Sequence, residues 1–256
     1  MAVAPVPPSP VSPGAPEAAP LSEGARLLDT FVAPSKTFSD LRRSASWWAP
    51  FLVLAVATLA FVYVVDQKIG FAKVNENQIR LQPKASERIE RMPPDQRAQA
   101  MASQVKVMGY ISWGYPVIIL IWNALIAAVL LATFKFGFSA ALKFKTTFAI
   151  VMYAALPGII KVILVIVSIL AGASTDSFTF QNPAATNIGY FLDPANSQFL
   201  YSVGTAVDIF MIWTLALTAI GISCVGGVKR STAMIVVFGW YIVFTLGGAG
   251  LGAAFS

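Results

Sequence analysis

The sequence contains no histidine and a single cysteine, Cys224, and only 12% of its residues are charged. A lone cysteine excludes an internal disulfide. The missing imidazole removes most zinc sites and every Ser-His or Cys-His catalytic arrangement. No phosphate-cradling Gly-Lys-Ser/Thr loop occurs either. Intramembrane serine proteases of the His-dependent kind are excluded on the same ground, and aspartyl ones need two intramembrane carboxylates where only Asp208 qualifies. The sequence therefore reads as a non-enzyme with no cofactor and no metal site.

What is present is apolar. Of 256 residues, 57% are hydrophobic and the mean hydropathy is +0.70. Soluble domains carry about 25% charged residues, so a multi-span membrane protein is expected. A net charge of +6 could suggest nucleic acid, but the basic residues flank apolar runs, and membrane orientation explains them better.

Residues 1–20 hold seven prolines, with no basic leader and no continuous apolar run, so they do not read as a signal peptide. Residues 1–30 read as a disordered Pro/Ala-rich tail, preferred over a ligand for a proline-recognition module. Next, Phe31, Val32, Phe38 and Leu41 can share one face of a short helix closed by Arg42 and Arg43, a pattern suited to the membrane interface.

Five runs are long enough to cross a bilayer, about 47–65, 115–134, 148–171, 199–225 and 233–255. Trp47 and Trp48 introduce the first and Trp113 the second, as interfacial anchors. The polar stretch 66–110 has eight basic and five acidic residues, and from Asp95 it reads as a helix with Ala98, Met101, Val105 and Met108 on one side. Such a segment is a small helical cap, solvated or resting on the membrane. Lys36, Arg42 and Arg43 precede the first span, Lys135, Lys143 and Lys145 follow the second, and Lys229 and Arg230 follow the fourth. The positive-inside rule then puts the N-terminus in the cytoplasm and the C-terminus outside, with only the 66–110 loop in conflict. The cell (inner, cytoplasmic) membrane is the expected location.

Two apolar runs carry an ionisable residue in mid-span: Lys161 in the third and Asp208 in the fourth. Lys161 lies nine positions before Leu170 and Asp208 nine after Phe199. In an antiparallel hairpin both sit about 14 Å below the same face. Opposite charges at equal depth favour pairing, because either alone is costly there. A relay or substrate site is one reading. A structural pair is preferred, since the spans offer few helpers beyond Asn123, Thr133, Ser168, Thr205, Thr214 and Thr218. Pro157-Gly158 breaks the third run four residues before Lys161, and one interruption without a match elsewhere favours a packing kink over a transporter's broken helix. Gly248 and Gly252 form a small-xxx-small pair suited to helix packing or dimerisation.

Four phrases in order, Phe31-Val-Ala-Pro-Ser-Lys-Thr-Phe38, Trp47-Trp-Ala-Pro50, Tyr153-Ala-Ala-Leu-Pro-Gly158 and Asn182-Pro-Ala-Ala-Thr-Asn187 leading to Phe191-Leu-Asp-Pro194, resemble the Yip family of integral membrane proteins (Ypt/Rab-interacting, Yip-one-type domain) in its prokaryotic branch. The resemblance covers about 31–256. It implies a five-span all-α fold with a cytoplasmic N-terminus, and its eukaryotic members are linked to Rab GTPases, vesicle traffic and membrane shaping. The Asp-Leu-Tyr-Gly-Pro phrase that those relatives carry before the first span is absent, which argues against a Rab-type GTPase partner. The expected function is action through protein and lipid contacts, with the bilayer and a second copy or another membrane protein as partners. The alternative is a small transporter or channel using Lys161 and Asp208.

Overall fold

Proline and glycine set most of the boundaries in the computed structural model, which describes residues 19–173 and 175–255. Most of the Pro-rich tail, residues 1–18, lies outside the described residues. Of the rest of that expected tail, residues 23–30 are helical. The Ser22 hydroxyl accepts from the Ala25 N–H at 3.2 Å and caps α1, Glu23–Val32. Pro34 then opens α2, Pro34–Asp40, where a missing N–H costs nothing.

Five helical segments have membrane length and hydropathy. They are α3 (Trp48–Lys68), α7 (Tyr115–Phe138), the pair α8 (Phe144–Ala154) and α9 (Pro157–Leu170), α11 (Ile209–Gly226) and α12 (Arg230–Phe255). Between α3 and α7 lie α4 (Phe71–Arg80), α5 (Pro83–Glu90) and α6 (Pro94–Trp113), and α10 (Gln198–Ala206) precedes α11. The chain is thus an all-α multi-pass membrane protein, and among the described residues no strand forms beyond one isolated bridge. Gly70 and Gly227 end helices at φ values of 80° and 70°, a left-handed conformation that side chains resist.

The core is built around α8, whose residues Thr147 to Ala154 are all buried. Phe38 and Leu41 of the α2 region pack into the same cluster with no exposed surface. Lipid gives helices no hydrophobic reason to associate, so close approach has to come from small residues. Gly221 of α11 supplies it, because a Cβ there would collide with Ile150 and meet Phe38 at 3.1 Å. The expected single interfacial helix is therefore replaced by two short helices that plug one face of the bundle. The break at Ala33-Pro34 turns Phe38 inward and leaves Val32 80% exposed.

A polar cluster fastens this plug. Arg26, buried in α1, binds Asp40 of α2 through Nε (2.8 Å) and Nη2 (2.7 Å), and Glu23 through Nη1 (3.2 Å). The Tyr153 hydroxyl of α8 donates to Glu23 Oε2 at 2.8 Å. Burial pulls the Arg26 pKa down, but the hydrogen bond and charge of Asp40, with Glu23, carry it above its ordinary value, so the guanidinium stays charged.

On the opposite face α4 to α6 form a cap. Asn77 of α4 donates to the carbonyls of Thr175 and Phe178 at 2.9 Å each, which ties the cap to the 172–197 loop. Phe178 and Phe180 of that loop pack on Phe61 of α3.

Candidate ion-pair site between two broken helices

The third span breaks where its sequence removes a donor. Pro157 has no N–H, α8 ends at Ala154, and α9 begins again at Pro157 with Lys161 one turn in. Gly158 N–H donates to the Ala155 carbonyl at 3.0 Å, so the break keeps part of its bonding.

The fourth apolar run differs from its reading as one helix over 199–225. It divides at Val207-Asp208 into α10 and α11, and only α11 has membrane length. Asp208 therefore stands at the head of a helix, not in its middle. One carboxylate oxygen, Oδ1, accepts from the backbone N–H of Phe210 (2.9 Å) and Met211 (3.3 Å). These are orphan donors of the first turn, and a carboxylate is well placed at the positive end of the helix dipole. A competent N-cap with good local bonding outcompetes helix propagation through it. The absence of proline or glycine at this point hid the break from the sequence.

The other oxygen, Oδ2, binds Lys161 Nζ at 2.7 Å and accepts the Thr186 hydroxyl at 2.5 Å. The Asp208 side chain is 6% exposed and the Lys161 side chain 25%. Thr186 comes from the 172–197 loop, which folds down onto the break. Ile209 N–H donates to the Thr186 carbonyl at 3.1 Å, and Asn187 and Asp208 form the isolated antiparallel bridge. The Ala206 carbonyl, freed by the break, accepts the Tyr241 hydroxyl of α12 at 2.7 Å.

The loop is held to α10 by close backbone approach. A Cβ on Gly189, in the 3-10 turn Ile188–Phe191, would strike the Thr205 hydroxyl and lie 2.5 Å from its backbone nitrogen. Asn187 positions that turn by accepting from Tyr190 N–H (3.0 Å) and donating to Asn182 Oδ1 (2.8 Å). Sequence reasoning did not single out Thr186 as a partner of the pair, although it lies within the quoted Asn182–Asn187 phrase. It also missed Arg26, Asp40, Glu23 and Tyr153, for which only the Glu23–Arg26 spacing of three was a signal.

The remaining singled-out residues lie elsewhere. Asn123 donates to Met152 Sδ at 3.4 Å, Thr133 accepts from Trp240 Nε1 at 3.0 Å, and the hydroxyls of Thr205 and Thr218 turn back onto their own helices. Trp47 packs inward on Phe148 with ring centroids 5.3 Å apart, whereas Trp48 and Trp113 are exposed. A Cβ on Gly248 or Gly252 would meet nothing within 4 Å, so within one chain this pair approaches no neighbour closely. Among the described residues no group of three or more His, Cys, Asp or Glu side chains could hold a metal.

Comparison with curated proteins and with solved structures gives no match. The family model for the Yip1 domain, by contrast, matches residues 28–251, from the plug through the capped hairpin to the last span. With five membrane-length helices and a match over most of its length, the chain belongs to the Yip1 domain family.

Proposed function

We propose that the protein is a non-enzymatic membrane protein that works through lipid and protein contacts, organising the membrane in which it sits. In this reading Lys161, Asp208 and Thr186 are a structural clasp. The observation that carries it is saturation of the carboxylate: Asp208 Oδ2 is taken by Lys161 and Thr186, and Oδ1 by two backbone N–H groups. A transport site needs ligand atoms that can exchange partners with a moving ion, and this carboxylate has none to spare. The positive-inside pattern supports a cell-membrane location with the N-terminal plug in the cytoplasm. A second copy or another membrane protein would meet the lipid-facing side of α12.

One observation favours the alternative of a small transporter or channel. Lys161, one turn past the break before Pro157, bonds Asp208 at the break in the fourth run, and paired discontinuous helices are a feature of transport sites. Reconstitution into liposomes separates the two. The clasp reading expects proton and solute flux no greater than in protein-free vesicles. Flux above that level, abolished by Asp208→Asn, would overturn it.

A further inference from the structure

A cleft of about 790 Å³ opens between the cap and the spans. Its apolar wall comes from Phe61 of α3, Ile79 of α4, Ile89 of α5, Met108 of α6 and Val162 of α9. Its polar lining is all amide and hydroxyl, including Gln78, Gln82 and Asn75, and Asn75 reaches across to Gln104 of α6 at 3.2 Å. Among the described residues no charged side chain lines it.

Three features decide what fits. The first is depth: Thr58, on its wall, lies ten residues before Lys68, about 15 Å in from that end of α3, which is hydrocarbon depth. The neighbouring surface of α6 agrees, with Val107, Tyr110 and Ile111 exposed where only lipid suits them. The second is volume. A helix about 10 Å across occupies roughly 120 Å³ per residue, so the cleft would hold about seven residues, under two turns. A partner helix is too large, whereas the volume lies within the roughly 300–1,000 Å³ of small-molecule sites. The third is charge. A free fatty acid would bring a carboxylate into a lining without a cation, at a high desolvation cost. An esterified chain brings only carbonyl oxygens, which amides can meet.

We infer that this cleft holds one acyl chain of a membrane diacyl lipid, with its ester region beside Gln78 of α4 and Gln82 at the head of α5 and its headgroup outside. The cap is then a lipid-binding element. This site rests on the reading of the protein as one that acts through lipid contacts, and gives that reading a location.

The test uses the full chain in detergent with phosphatidylcholine carrying a diazirine at the end of one acyl chain. On photolysis, label on Met108 and Ser112 of α6, which line the cleft, is expected to saturate with probe, while label on the lipid-facing Ile242–Leu246 of α12 rises linearly. Ala85→Trp with Ser103→Trp fills the cleft and is expected to cut the α6 label several-fold while leaving the α12 label unchanged. Linear labelling at both places, or undiminished α6 label in a filled variant that keeps the wild-type thermal midpoint, would overturn the site. The saturation comparison stands on the wild type alone if the filled variant does not fold. Stronger saturable labelling by a diazirine-bearing oleic acid would overturn the diacyl-lipid assignment. None of these results depends on liposome flux, so loss of the cleft site and loss of the clasp reading are separately visible.

Discussion

Removing the carboxylate of Asp208 perturbs two things that can be separated by choice of substitution. Asparagine caps a helix about as well as aspartate, so Asp208→Asn keeps the bonds to Phe210 and Met211 while an NH2 replaces the charged oxygen that faces Lys161 and Thr186. Breaking a buried pair costs about 3–5 kcal/mol; because the Lys161 side chain is 25% exposed, about 2–3 kcal/mol is expected. Asp208→Ala also loses the cap, adding about 1 kcal/mol. Lys161→Met combined with Asp208→Asn removes both charges and keeps the cap, and the amide NH2 that replaces Oδ2 can donate to a turned Thr186 hydroxyl, so it should fall within about 1 kcal/mol of wild type. Exchanging the charges, Lys161→Asp with Asp208→Lys, looks from the sequence alone as though it should express better than either single variant. The structure makes it a poor test. Lysine has no acceptor for the first-turn N–H groups and puts positive charge at the positive end of α11. Stability of detergent-solubilised protein, read from the circular-dichroism midpoint on heating or in SDS, ranks the variants. Equal losses for Asp208→Asn and Asp208→Ala would refute the capping role. A neutral double variant no more stable than Asp208→Asn would refute the pairing energy.

Gly189→Ala should destabilise by about 1–3 kcal/mol, since its Cβ meets the Thr205 backbone as well as its hydroxyl, and the backbone is not free to move away. Faster proteolysis within 172–197 and a lowered midpoint would register it, and wild-type behaviour would rule out the close packing of loop on α10. Arg26→Met leaves Asp40 buried without its guanidinium and should cost about 3–5 kcal/mol, read from the same midpoint. A loss below about 1 kcal/mol would mean that the plug is held by Phe38 and Leu41 alone.

Hydrophobic length and charge placement were sufficient to find five spans and to single out Lys161 and Asp208, because a bilayer tolerates only long apolar helices and makes every intramembrane charge conspicuous. Proline made the break before α9 and the start of α6 legible, since a missing N–H is a local property of one residue, whereas the same signal at Pro34 was passed over. Tertiary structure decided the rest. Whether Asp208 continues a helix or caps one depends on a loop 22 residues earlier in the chain supplying Thr186, and on Lys161 arriving from another span. Whether Phe38 and Leu41 lie on the membrane or inside the bundle depends on Gly221 giving them room and on Arg26 meeting Asp40. Those outcomes rest on contacts between distant segments, which periodicity and composition along one run do not encode.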